Sequence, residues 1–402
     1  MKKLKRLAAL LLCACMCLTL SGCRTWDNFY NTFFAKETDE PVVYIGIFEP
    51  LTGADASAAA DEVAGIELAH EIYGYVMGTK VELLYGDNQS DTAMAASAAQ
   101  GLIDKGASVV LGSYRSVLSL AASDVFSESK TPAICITAKN PLITQTNPYY
   151  FRVCYIDAFE GRSAARYVLD CLGETEAVVI MAEGDDYSQA LAEQFVSTME
   201  KANGREGSIR VLTYSPELED LTPVLRRLEM SGCSTVFFPG SAVQGDAMIR
   251  AAKNGGFDFK WIGDSRWEDI EDADPQYRTL EEDYLVGVSY IEDYDISAYS
   301  SDTTQIMLNE YAKRNGQGAV PSEEFAFGFD AYLLALAGME EASSTDDGEL
   351  IASKLTNVYE LEGATGSISM GAQGDPLRDV IIEQITSEGT QAVFTVAPRW
   401  GE

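Results

Sequence analysis

From Val42 onward, short β-rich runs alternate with helical segments, and this alternation constrains the fold more than any other feature of the chain. Val42 to Phe48 reads as a strand. Residues 59–73 read as a helix with Val63, Ile66, Leu68, Ala69 and Ile72 contributing apolar faces. A strand from Lys80 to Tyr85, a helix over 91–104, a strand from Ser108 to Leu111, a helix from Ser116 to about Phe126 and a strand from Pro132 to Ile136 follow. The pattern then restarts. A helix over 158–170 leads to strand Ala177 to Met181, helix 188–202, strand Ile209 to Tyr214, helix 220–230, strand Thr235 to Phe238, helix 243–254 and strand Lys260 to Ile262. Strands alternating with helices of this length predict βαβ units and parallel sheets. Two successive sets predict an α/β protein with two lobes of similar build. Residues 300–357 read as mostly helical, and strand candidates return at Ser367 to Ser369, Val380 to Ile385 and Ala392 to Val396.

Ahead of this body lies a secretory leader. Lys2, Lys3, Lys5 and Arg6 make a positive start, and Leu7 to Leu20 carries no charge. That core is too short for a transmembrane helix and has the flanks of a signal peptide. The ending Leu20-Ser21-Gly22-Cys23 resembles a bacterial lipobox. The resemblance implies cleavage after residue 22 and diacylglycerol on the Cys23 sulfur, so the protein is expected outside the cytoplasm, anchored to a bacterial membrane. Two acyl chains hold firmly where one holds weakly. Residues 23–40 then form a tether. Within it Trp26, Phe29, Tyr30, Phe33 and Phe34 fall at helical spacing, which leaves open an aromatic stripe at the membrane interface or a tether that packs on the body.

The remaining 380 residues are comfortable for two domains. The leader holds four of the 29 basic residues and none of the 62 acidic ones, so the mature chain sets 25 cations against 62 anions. Such a surface argues against nucleic acid and against charge-driven binding to anionic lipid. Of eight cysteines, Cys13, Cys15 and Cys17 leave with the leader and Cys23 takes the lipid. Cys135, Cys154, Cys171 and Cys233 form no Cys-x-x-Cys, so no zinc or redox motif is expected. Buried free thiols and disulfides both remain open for these four.

Several landmarks resemble one family. They are Gly46-Ile47-Phe48-Glu49-Pro50-Leu51-Thr52-Gly53 after the first strand, Gly65 with Leu68-Ala69, Asp87, and Gly112-Ser113-Tyr114-Arg115-Ser116. Phe151-Arg152-Val153 with Asp157 and Gly161 follows, then Pro239-Gly240, Gly263-Asp264 near Trp267, Phe329-Asp330-Ala331 and Gly363-Ala364-Thr365-Gly366. In order and spacing the chain resembles a type I periplasmic solute-binding protein of the branched-chain amino-acid class. The resemblance implies two Rossmann-like lobes with parallel sheets flanked by helices, joined by a three-crossing hinge. The crossings are expected near Asp157, Val286–Tyr290 and Gly374–Asp379. One lobe then holds 41–157 plus 288–374, and the other 158–287 plus 375–402.

The family capture solute for an ABC importer by hinge closure, which implies a small-molecule ligand, an amino acid or related carboxylate, and permease subunits as partners for a monomer. No cofactor or metal is implied. Ligand sits beyond the carboxyl ends of parallel strands. Gly112 to Ser116 stands at such an end and opens a helix, so Ser116 is the expected carboxylate contact, with Tyr114 and Arg115 beside it. Ser116 can cap its helix as well. By resemblance Thr137, Ala138 and Lys139 form the next wall, and relatives place a small hydroxyl residue at the Lys139 position. A cation there, with Arg115, points to a ligand more acidic than leucine, unless both turn to solvent or pair with some of the many carboxylates. Asp157, at the crossing, is implied to accept a hydrogen bond from the ligand or to pin the hinge. The second lobe is implied to supply the aromatic Tyr187, Ser241 in place of an aromatic, and an acid from Asp264 or Glu268 flanking Trp267.

An enzyme is not expected. His70, the one histidine, falls inside a predicted helix, and the chain has no Gly-x-Ser-x-Gly elbow, His-Glu-x-x-His or P-loop. The acidic run Glu268 to Asp274 lacks the spacing of a calcium loop. The same fold can also present ligand to a receptor or sensor kinase, and nothing in the sequence separates that role from transport.

Overall fold

The computed structural model describes residues 41–273, 284–292, 294–377 and 380–396, with all side chains but those of 157, 158, 186, 272 and 394–396. The leader, Cys23, the aromatic tether and the side chain of Asp157 lie outside the described residues. No helix among the described residues is long and apolar enough to cross a membrane.

The first half builds β1 (Val42–Glu49), α1 (Ala56–Ile72), the hairpin β2 (Tyr75–Val76) and β3 (Thr79–Asp87), and α2 (Thr92–Asp104). It continues with β4 (Ala107–Leu111), α3 (Ser116–Ser129), β5 (Ala133–Cys135), the short α4 (Leu142–Gln145) and β6 (Tyr150–Arg152). The strands order as β2-β3-β1-β4-β5-β6, and β1, β4, β5 and β6 run parallel. Alternation on these strands decides the two cores. Ile45, Ile47, Val109, Leu111 and Ile134 pack on one face, while Val110, Ala133 and Cys135 pack on the other with Leu102 and Phe126. Parallel strands covered on both faces therefore read as continuous apolar runs, as β1 and β4 do.

The second half opens with α5 (Asp157–Arg166), which passes into a π-helical turn over Tyr167–Cys171. Then come β7 (Val178–Ala182), α6 (Asp186–Asn203), β8 (Arg210–Tyr214), α7 (Thr222–Glu229), β9 (Thr235–Phe238), α8 (Ala242–Gly255), β10 (Lys260–Gly263) and β11 (Ser289–Glu292). The helices α9 (Asp302–Asn315), α10 (Glu323–Ala342) and α11 (Gly348–Leu355) follow, with a small antiparallel sheet of β12 (Leu361–Gly363), β13 (Gly366–Met370) and β14 (Pro376–Leu377). Finally β15 (Val380–Thr386) and β16 (Gly389–Val396) return to the second sheet, whose order is β16-β15-β11-β10-β9-β7-β8.

The sheet memberships differ from the sequence expectation at two places. The stretch 288–292 is expected with the first lobe, but β11 runs parallel to β10 and antiparallel to β15 in the second sheet. Residues 375–377 are expected with the second lobe, but β14 pairs with β13, and Asp375 reaches Arg152 at 2.7 Å. The chain thus passes between the sheets after β6, after β11 and after β14. Cys135, Cys154, Cys171 and Cys233 are all free thiols; the first two are buried, while Cys171 is exposed. His70 sits on α1 with Nδ1 3.0 Å from the Tyr332 hydroxyl, and burial lowers its pKa.

α1 and α10 cover the first sheet together, and two glycines set how closely they approach. A Cβ added at Gly65 would lie 1.9 Å from the Phe325 carbonyl oxygen, and one at Gly328 would lie 2.2 Å from the Glu62 carbonyl oxygen. Both neighbours are helix backbone and cannot rotate away. Asp330, also on α10 and fully buried, accepts the Ala364 and Thr365 N–H groups at 2.6 and 3.2 Å, which docks the β12–β13 turn. Gly65→Ala is expected to lower unfolding free energy by about 1–3 kcal/mol through overpacking, as read by urea denaturation. Gly101→Ala, at a helical site with nothing within 4 Å, is the control and is expected to be neutral or to gain up to about 1 kcal/mol. Equal stability of Gly65→Ala and wild type would disprove the close approach.

Candidate functional site

The carboxyl ends of the first sheet carry three loops, and each is held by a carboxyl group. After β1, Asp87 accepts the N–H groups of Leu51 and Thr52 at 3.0 and 3.1 Å and the Thr52 hydroxyl at 2.6 Å. Burial pushes the Asp87 carboxyl up, but these bonds and that from Gln89 outweigh it and leave the pKa below the usual value. After β4, the Tyr114 N–H donates to Glu49 Oε2 at 2.7 Å, and the Tyr150 hydroxyl donates to the Gly112 carbonyl at 3.0 Å. After β5, the Thr137 hydroxyl donates to Glu62 Oε1. The fully buried Arg152 reaches the Ala138 and Asn140 carbonyls at 2.7 and 2.8 Å, and so braces that wall from beneath.

The expected first-lobe residues come together here. Ser116 begins α3, and its Oγ accepts the Asn140 N–H at 3.2 Å, joining the loop after β4 to the loop after β5. Ser116 accepts no bond from its own helix. The N-cap position belongs to Arg115, which stands at a φ of 75° and makes no side-chain cap. Tyr114 is half-buried, and burial raises its phenol pKa. Ala138 is buried, with its carbonyl taken by Arg152. Arg115 is exposed but paired, with Nε 3.1 Å from Asp55 Oδ1, and Lys139 is engaged as well.

In the second sheet the carboxyl ends converge on Arg266. Its guanidinium contacts Asp264 at 2.6–3.1 Å, lies 3.2 Å from Ser188 Oγ and 3.5 Å from Asp185, and sits 4.3 Å over the Tyr187 ring. Burial raises the Asp264 pKa against the pull of Arg266. Burial also works against ionised Asp185, but bonds from Ser188 and the charge of Arg266 hold it below the usual value. Beside this cluster the buried Glu160 on α5 accepts the Ser265 N–H at 3.1 Å, the Ser265 hydroxyl at 3.0 Å and the Tyr187 hydroxyl at 3.2 Å. Tyr187 therefore does stand at this end of the sheet.

Three second-lobe expectations change. Asp264 faces no open site: it is fully buried and neutralised by Arg266 two residues on. Trp267 is a core residue, wholly buried, with its indole N–H on the Gly240 carbonyl at 2.9 Å and its ring edge-on to Phe238. A Cβ at Gly263 would meet that ring at 2.0 Å, so the Gly-Asp-x-x-Trp spacing serves packing. Ser241 caps α8 through a reciprocal pair with Gln244, and Glu268 is exposed. The residues that sequence reasoning missed are Glu49, Glu62, Glu160, Ser265 and Arg266. Glu62 did leave a signal, since it falls on the apolar stripe of α1 with Ala59, Ile66 and Ala69.

With this geometry in hand, comparison with known proteins gives one answer. A family model described as periplasmic binding protein matches residues 42–390. Leu/Ile/Val-binding protein homolog 3 of Brucella melitensis biotype 1 is 25% identical over 338 residues, covering 83% of this chain and 88% of its own length. Leu/Ile/Val-binding protein BraC3 of Rhizobium johnstonii is 26% identical over 340 residues, with 83% and 88% covered. The crystal structure of the leucine binding protein LivK from Thermotoga maritima superposes with a TM-score of 0.64 at 26% identity, covering 89% of this chain and 99% of that one. An ABC transporter substrate-binding protein from Desulfitobacterium hafniense in complex with Leu shares the fold, with a TM-score of 0.68 at 22% identity over 88% of this chain and 100% of that one. The family match begins with the first strand and reaches into the last, and on that span the chain belongs to the periplasmic binding protein family.

Proposed function

We propose that this chain is the extracytoplasmic substrate-binding component of an ABC importer and that it captures a branched-chain amino acid. The observation that carries this reading is the junction of the 112–116 and 137–140 loops through Ser116. Its oxygen accepts from Asn140, so its hydroxyl proton remains to donate to a ligand carboxylate. The first-turn N–H groups of α3 and the helix dipole favour the same anion. Relatives named for leucine, isoleucine and valine supply the ligand class.

The expectation of a ligand with an extra acid group loses force. It needs Arg115 and Lys139 as unspoken-for cations, and Asp55 already neutralises the first. On the second lobe Asp157 and Tyr187 are the remaining contacts, because Asp264 and Trp267 are committed to ion pairing and core packing. Closure of the two lobes over the ligand favours the closed form by contacts made on both sides. The closed monomer is then read by permease subunits, and the diacylated Cys23 keeps it at the membrane. The excess of 62 acidic over 29 basic residues disfavours nucleic acid as a partner.

Isothermal titration with L-leucine is expected to give a Kd near the micromolar range, equivalent to about −8 kcal/mol. Ser116→Ala is expected to weaken that binding by about 1.5–3 kcal/mol, the scale of a hydrogen bond to a charged group, with an unchanged melting temperature. Binding of aspartate or another dianion in place of leucine would return the ligand class to the acidic reading. For the anchor, Cys23→Ala is expected to abolish labelling by radioactive fatty acid and to move the protein from the membrane fraction to the soluble one. Retained labelling would place the lipid elsewhere.

A further inference from the structure

Behind the ligand loops of the first lobe lie two acids that the proposed function does not use. Glu49 ends β1 and Glu62 lies midway along α1, and both are fully buried. Each has one committed oxygen. Glu49 Oε2 accepts the Tyr114 N–H at 2.7 Å, and Glu62 Oε1 accepts the Thr137 hydroxyl. Each also has one oxygen with no partner, Glu49 Oε1 and Glu62 Oε2. A buried polar atom left unpaired is costly, and a buried charge more so. The two carboxyl groups lie within hydrogen-bonding reach of each other.

We propose that Glu49 and Glu62 share one proton between their unpartnered oxygens and act as a single positioning unit, tying the Ser116 loop to the Thr137 loop. One proton is the number that satisfies the geometry. With none, two anions face each other in a dry site; with two, one hydroxyl lacks an acceptor. With one, an O–H donates to the opposing carboxylate, and the outer oxygens still accept from Tyr114 and Thr137. The surroundings do not replace that proton with a cation. Glu324 on α10 adds another negative charge towards Glu62. The Tyr114 phenol and the Cys135 thiol face the pair in their neutral forms, with pKa values raised by burial. Arg115 is paired with Asp55, and Arg152 with Asp375. In line with this, burial pushes Glu62 up to about 7, against the bonds from Glu49 and Thr137. Burial and the charge of Glu62 push Glu49 well above its ordinary value.

The unit gives Thr137 a direction. Its one hydroxyl proton points back to Glu62, so towards the ligand it can only accept, which suits an ammonium group rather than a carboxylate. Loss of the shared proton sets two anions against each other and forces apart the two loops they hold. This inference rests on the reading that those loops line the ligand site. The sign of the pH effect follows from raised pKa values. The folded pair holds a proton that the unfolded carboxyl groups, with ordinary values near 4.5, release. Stability from this source is complete below pH 4.5 and is lost as pH rises through the raised values of the pair.

The test measures the affinity of the full-length protein for L-leucine from about pH 5.5 to 8.5, together with its melting temperature and its infrared carboxyl spectrum without ligand. Affinity is expected to fall towards the alkaline end of that range as the pair loses its proton, by up to tenfold per pH unit for one linked proton. Glu62→Gln places a permanent N–H donor against Glu49 Oε1 and keeps an acceptor for Thr137. It is expected to bind leucine as well as wild type does at pH 6 and to lose the pH slope. Glu49→Gln, the reciprocal change, is expected to do the same. A protonated carboxyl band in wild type at neutral pH, absent from both Gln variants, reports the shared proton without any ligand. A flat affinity profile in wild type, a slope retained in both variants, or no such band would overturn the inference. Failure of leucine to bind at any pH while the band is present would sink the proposed ligand and leave the shared proton standing.

Discussion

A guanidinium group withdrawn from solvent holds the ligand side of the first sheet together. Arg152 ends β6, the last strand of that sheet, and has zero exposure. Taking such a charge out of water is costly unless it is paired and hydrogen-bonded in good geometry. Here Nε stands 2.7 Å from Asp375, Nη1 reaches the Ala138 carbonyl, and Nη2 reaches the Asn140 carbonyl and Thr144. Those partners come from the wall after β5 and from the segment that leads back to the second sheet. One side chain therefore joins the edge of the sheet, a face of the site and the last passage of the chain between the sheets. Arg suits this task and Lys does not, because a planar fork with several fixed donors serves three directions at once.

The two halves share a layout and stabilise their strand ends differently. In the first, the ends of β1, β4 and β5 are held by carboxyl groups turned inward, with no cation on the Glu49–Glu62 pair. In the second, Arg266 gathers Asp264, Asp185, Ser188 and the Tyr187 ring around one positive charge. Glu160 lies beside that cluster and gathers three donors of its own. The second-lobe end is thus a self-neutralised surface whose aromatic ring is already covered by a cation on one face. The first-lobe end leaves the Ser116 hydroxyl proton uncommitted, which under the proposed function is the donor to a ligand carboxylate. The asymmetry fits a zwitterion whose carboxylate is taken first by one lobe.

Most strands and helices were legible because parallel strands buried on both faces are short apolar runs set between amphipathic helices. The losses have specific causes. β6 and β12 are three residues long, and β2 and β14 two, too short for any period to show. β11 was hidden because Val286 to Tyr290 reads equally well as a crossing, and only its pairing with β15, some ninety residues later, makes it a strand. At the strand ends, the rule that ligands gather beyond the carboxyl ends of strands pointed to Ser116, and the resemblance pointed to Thr137; the structure brings their two loops together through the Ser116–Asn140 bond. Trp267 was misread because an aromatic flanked by acids resembles a ligand wall, whereas two glycines, Gly245 and Gly263, open a core slot for it. The ability of Arg266 to neutralise Asp264 depends on a tight 3₁₀ turn that spacing alone does not reveal. Composition does not single out a buried acid among 62 acidic residues; Glu62 is marked only by its place on the apolar stripe of α1, and Glu49 by nothing but its place at the end of β1.

The position of Glu62 is set by the packing of its helix against α10. Gly328 on α10 lies against the Glu62 backbone, and Gly65, one turn along α1, lies against α10 at Phe325. These two contacts fix the height of α1 over the sheet, and with it the distance from Glu62 to the end of β1 and to Thr137. Helix packing, acid pairing and loop placement are therefore one sequence of contacts rather than three separate features. An outward shift of α1 would act on the Glu49–Glu62 pair and, through the Glu62–Thr137 bond, on the loop after β5 together. The site is in this sense supported by a helix contact that no ligand reaches, and glycine is required there for the absence of a side chain, not for backbone freedom.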